Sequence, residues 1–185
     1  MLRFQFNSTK SAQAAAVFLK LAGGSMDKYL FIKMLYIADR ESLKNWDQPI
    51  TGDLPVSMEL GPVLSTIYDL TKGRALEHRP FWSPFISDAD EQTNQVCLKA
   101  EPSRDHLSKN EMRLIESVYE QFKGLTWIQM KNHCHSFPEY EEVGKSSKTI
   151  PLENILSAVG KTQDQIKEIE KAQRELAIMD SLMEA

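Results

Sequence analysis

The chain has 185 residues, 42% of them hydrophobic and 26% charged, the balance of a globular domain able to bury a core. Its formal net charge of −4 and the absence of a basic stripe argue against a nucleic-acid partner. The longest apolar run, six residues at 14–19, falls far short of the ~20 that a membrane-spanning helix needs.

The opening "LRFQF" (2–6) alternates, with Leu2, Phe4 and Phe6 on one side, and predicts a short half-buried strand. No apolar h-region follows the first residue, so no secretory signal is expected. Two cysteines, Cys97 and Cys134, are too few for a disulfide framework, and the expected compartment is a reducing cytoplasm. A helix capped by Ser8 or Thr9 should run through "SAQAAAVFLKLA" and stop at Gly23-Gly24. A second should follow Ser25 through Trp46, with Tyr29, Ile32, Leu35 or Tyr36, and Asp39 at helical spacing. Two prolines and a glycine in "DQPITGDLPVS" break the pattern. "GPVLSTIYDLTKG" reads as a third helix with Pro62 in its first turn and Gly73 at its C-terminal end.

Between about 80 and 101 the period changes to two. "FWSPFIS" and "QVCLKAE" flank a polar turn and predict a β-hairpin, with Val96, Leu98 and Ala100 on one face. Ser108 and Glu111 form a capping box for a helix carrying Met112, Ile115, Val118 or Tyr119, and Phe122. "TWIQMKNHCH" reads as the next helix, "GKSSKT" as a polar linker, "LENILSAV" as a short helix, and the segment from about Thr162 as a last one. The fold class is therefore mostly α (α+β): a compact helical domain with a small antiparallel hairpin or sheet and a C-terminal helix. Residues 1–145 are expected to form the domain and 146–185 a C-terminal helical extension.

The stretch "HCHSFPEY" (133–140) invites a metal or a nucleophile. Zinc ligands sit as C-x2-4-C or H-x3-5-H, whereas His133, Cys134 and His135 are consecutive and diverge by about 100° each on a helix. Pro138 separates them from Glu141. No metal, no cofactor and no catalytic residue is expected. Histidines at a helix C-terminus have a simpler use, since imidazolium complements the dipole there. The chain has neither a phosphate-binding glycine loop nor a dinucleotide fingerprint. Acidic pairs such as Asp39 with Glu41 and Asp53 with Glu59 read as solvated surface.

Taken in order, "IKMLYIADRE" (32–41), "ITGDLPVSMELGPVLSTIYDL" (50–70) and "LTWIQMKNHCHSFPEY" (125–140) resemble the Panacea domain. That mostly helical domain belongs to SocA-like antitoxins and also occurs in phage-associated proteins. The positions carrying the resemblance are Lys33, Leu35, Tyr36, Ala38 and Asp39, then Gly61, Pro62, Val63, Ile67 and Tyr68, and last Met130, His135, Pro138 and Tyr140. Met130, Cys134 and Tyr140 depart from the family pattern. On this reading His135, Pro138 and Tyr140 end a helix and pack it against the 61–63 turn. Tyr36, Asp39 and His135 are candidates for one polar cluster, structural or functional.

The resemblance implies a cytoplasmic antitoxin that binds a protein toxin encoded by a neighbouring gene, masking it or delivering it to a protease. The alternative is an enzyme with a polar site around Asp39, Glu59 and His135. The last helix offers a partner-binding stripe, Ile166, Ile169, Leu176 and Met183, at near-heptad spacing. Six acids against three bases surround it, a charge suited to a basic partner. The same stripe fits a helix packed back on its own domain.

Overall fold

A computed structural model describes the backbone of residues 2–183 and the side chains of residues 2–179. In chain order the elements are α1 (Ser8–Leu21), β1 (Ser25–Asp27), α2 (Lys28–Trp46), β2 (Pro55–Met58), β3 (Val63–Leu64), α3 (Ser65–Leu70) and α4 (Arg79–Trp82). There follow β4 (Gln95–Cys97), α5 (Lys109–Phe122), α6 (Trp127–His135), β5 (Ser147–Thr149), α7 (Leu152–Ala158) and α8 (Gln163–Met183). The described residues are mostly helical, with two small antiparallel sheets.

At the centre stands α2, in contact with α1, α5, α6 and α7. Every residue from Phe31 to Asp39 is buried, so the helix has no solvent face over that span. The Asp27 carboxylate caps it by accepting from the Tyr29 and Leu30 amides at 2.9 and 3.3 Å. Asp47, at φ 62°, closes it in the left-handed conformation. The predicted capping box opens α5, with Ser108 and Glu111 bonding reciprocally. A second box, Thr126 with Gln129, opens α6.

Asn7, not Ser8 or Thr9, caps α1, and Asp39 and Asp53 are buried rather than solvated. Four larger expectations also need correction. Residues 2–6 form no strand: Leu2 is buried while Arg3 and Gln5 are exposed, yet no ladder partner runs alongside. The segment is instead tied by the Leu2 amide to Glu153 Oε1 at 2.7 Å and by the Asn7 amide to the Thr51 carbonyl at 2.9 Å. Pro62 opens no helix. Val63 and Leu64 pair with β2, and α3 starts at Ser65, where the Asp53 carboxylate receives the Thr66 and Ile67 amides. The 80–101 hairpin is only partly formed: α4 takes up the start of its first arm and β4 pairs with β1, Met26 opposite Val96, while the Ile86–Leu98 bridge and the Ser87–Cys97 and Lys99–Phe85 backbone hydrogen bonds join the two arms. Finally, "SKT" in the supposed linker is strand β5, which lies on β2 with Val56 opposite Thr149. The three-stranded sheet has the order β3-β2-β5.

Candidate functional site

The turn after β2, residues 58–62, is held by three side chains from outside it. Tyr140 Oη donates to the Met58 carbonyl at 3.1 Å, Tyr29 Oη to the Leu60 carbonyl at 2.6 Å, and Lys33 Nζ to the Pro62 carbonyl at 2.6 Å. Gly61, at φ 98°, lies against α2 and α6: a Cβ there would stand 3.2 Å from Lys33 Nζ and 3.3 Å from His135 Cδ2. Both the backbone conformation and the close approach demand glycine. The His135 ring lies tilted against Tyr140, with centroids 4.4 Å apart. Its Nε2 is buried without a hydrogen-bond partner, and burial, followed by Lys131 and Lys33, lowers its pKa. The ring is therefore a neutral packing surface for the turn at neutral pH.

Lys33 is only 1% exposed. Burial lowers its amine to about 7, the reverse of what a lysine in water shows. Beside it, burial pushes the Cys134 thiol up to about 11 against the opposing pull of Lys33. Cys134 is thus a protonated core thiol, not a nucleophile. A cavity of about 320 Å³ opens over Lys33, walled by Tyr29, Met58, Val63 and Tyr68 with exposed Glu59 and Leu60 at its edge.

One helical turn further along α2, Tyr36 Oη donates to Glu139 Oε1 at 3.0 Å. Arg40 Nε meets the same oxygen at 2.7 Å, and the guanidinium lies 4.3 Å from the Phe137 ring centroid. This buried acid–base pair fastens the segment after α6 to α2. Asp39 faces elsewhere. Its carboxylate accepts from the Ile50 and Thr51 amides, each at 3.0 Å, and from the Thr51 hydroxyl. Burial nevertheless raises it to about 7.

Of the residues singled out from sequence, Lys33, Gly61, Pro62, His135 and Tyr140 converge on one spot. Val63 and Tyr68 line the adjoining cavity, and Tyr36 is linked through Glu139. Pro138 is exposed, and Asp39 of α2 binds the 47–53 loop instead. Tyr36, Asp39 and His135 do not form one cluster, and Asp39, Glu59 and His135 share no hydrogen bond. Sequence reasoning missed Tyr29's bond to the turn, Arg40 and Glu139. Their signal was the spacing Tyr29, Lys33, Tyr36, Arg40, which places all four along one face of α2.

Residues 31–140 match the family described as antitoxin SocA-like, Panacea domain. The chain belongs to that family. The matched span contains Lys33, Gly61, Pro62, His135 and Tyr140, so the packed turn lies within the Panacea domain. No curated protein and no solved structure matches the chain. Among the described residues no group of three or more His, Cys, Asp and Glu is placed to hold a metal ion. His133 packs between the Phe122 and Phe137 rings, at 4.9 and 5.0 Å, while Cys134 turns into the core. Among the described residues no helix is long and apolar enough to cross a membrane.

Outside the matched span, α8 divides in two. Ile166 and Ile169 are buried, in the part of the helix that packs on α7, whereas Leu176 is 50% exposed. The Met183 side chain lies outside the described residues.

Proposed function

We propose that this Panacea-domain chain is a cytoplasmic antitoxin that neutralises a protein toxin encoded beside it by direct binding. The observation that carries this reading is the family match over residues 31–140. The side chains around the turn support a binding role, because Tyr29, Tyr140 and one donor of Lys33 hold backbone carbonyls of the turn. Binding masks the toxin or presents it to a protease. We place the partner contact of α8 on the part beyond Ala172, at Leu176 and Met183, with Ile166 and Ile169 anchoring the helix to the body.

Expression of the neighbouring gene alone should arrest growth, and co-expression with this chain should restore it while the two proteins co-purify. Unrelieved arrest, or rescue without a complex, overturns the reading. A protease-deficient host separates the two modes. Rescue that persists there identifies masking, and rescue that disappears identifies delivery.

A further inference from the structure

The cavity over Lys33 is one end of a longer groove. Beyond Tyr29 lies a second hollow of about 410 Å³, bounded by Leu30, Leu125 and Trp127, and the two share Tyr29 and Asn94. Trp127 is 52% exposed and Leu60 42% exposed, so large apolar side chains flank both parts. Tyr29, which lines both hollows, meets Trp127 of the second edge to face at 6.1 Å.

The polar groups of this groove are unequally satisfied. Asp27 is occupied by the Tyr29 and Leu30 amides and by Asn94 Nδ2. Lys33 is not. An ammonium carries three donors, and Lys33 Nζ spends one on the Pro62 carbonyl, with the Tyr29 ring 5.3 Å away. Lys28 lines the same cavity, so the groove holds two lysines with two carboxylates, Glu59 and the already bonded Asp27. A buried amine with spare donors below an open cavity favours an acceptor that brings negative charge.

We propose that this groove receives an extended segment of the protein partner, seating an apolar side chain beside Trp127 and a carboxylate against Lys33. The inference rests on the antitoxin reading only for the identity of the partner. The arriving carboxylate completes the hydrogen bonding of the amine and restores its charge, while the Trp127 hollow supplies apolar burial.

The test uses the purified full chain and a displayed library of random short peptides, followed by a synthetic copy of the strongest binder and its Glu→Gln or Asp→Asn counterpart. Enriched peptides should pair an acidic residue with a large apolar one. Removing the peptide's carboxylate should weaken binding to the wild-type chain about tenfold or more, the usual reach of a charged hydrogen bond. Lys33→Met should bind both peptides equally weakly. Trp127→Asp, at an exposed position that leaves folding intact, should lose both, and it carries the test if Lys33→Met fails to fold. No enrichment, enrichment without acids, or undiminished binding to Trp127→Asp overturns the proposal. A wild-type chain that selects acidic peptides yet fails to protect against the neighbouring toxin sinks the antitoxin reading alone. Protection without such selection sinks the groove alone.

Discussion

Six positions apart on α2, Asp39 and Lys33 are both buried ionisable groups, and their surroundings treat them oppositely. Asp39 is met by two amides and a hydroxyl from residues 50 and 51. Lys33 has the single carbonyl of Pro62. A buried carboxyl met by two amides and a hydroxyl of one loop is a structural fastener. A buried charge left with unused donors is expensive in the isolated chain, and that cost is relieved by whatever brings an acceptor to it. The first region is finished and the second is not.

The most severe way to break the contrast is to remove the fastener. Asp39→Ala leaves the Ile50 and Thr51 amides buried without an acceptor and should destabilise by about 2–4 kcal/mol in denaturant unfolding. A loss under about 1 kcal/mol would show that the 47–53 loop finds other partners. Gly61→Val should cost about 1–3 kcal/mol, because any side chain at a positive φ is strained and this one also presses on Lys33 and His135. An unchanged melting temperature would mean that the turn rearranges freely.

The opposite shifts of the two groups give opposite pH limbs. Asp39 is raised from 3.8 to about 7, so the folded chain holds its proton more tightly than the unfolded one. Its contribution is full below pH 3.8 and is lost as pH rises through 7. Lys33 is lowered from 10.5 to about 7, so the folded chain holds its proton less tightly. That contribution is present above pH 10.5 and is lost as pH falls through 7. Subtracting Asp39→Asn stability from wild type should therefore leave a slope between pH 4 and 7, and subtracting Lys33→Met a slope of opposite sign between 7 and 10.5. Parallel wild-type and variant curves would remove the distinction.

Much of this architecture was legible in sequence where the cause is local. The Ser108–Glu111 box, the Gly23-Gly24 stop and the body of α2 depend on neighbours within a turn or two, and they appear as expected. Strand β5 was not legible, because "SKT" pairs with β2 through backbone atoms while its side chains stay exposed. The hairpin is incomplete for a related reason: its second arm also pairs with β1, only three residues long, and nothing in "SMD" advertises a strand. At the site, the order of motifs located Lys33, Gly61, His135 and Tyr140. Arg40 and Glu139 were passed over because charged side chains beside a motif resemble solvated surface. Only the fold reveals that Glu139 is buried and shared by Tyr36 and Arg40.

Helix α8 repeats the contrast between finished and unfinished surface, now with apolar groups. Ile166 and Ile169 are buried in the body, whereas residues 171–179 are largely exposed, Leu176 and Met179 included. A chain ending at Ala172 keeps both buried isoleucines and removes only the outer half. Its unfolding free energy should stay within about 0.5 kcal/mol of the full chain, the usual effect of changes away from packed contacts. A larger loss would show that the outer half packs on the body. With stability unchanged, the growth assay reads the partner contact directly. Reduced protection by the shortened chain assigns Leu176 and its neighbours to the toxin interface, and full protection removes α8 beyond Ala172 from it. The smallest expected change in stability thus gives the clearest statement of where the partner binds.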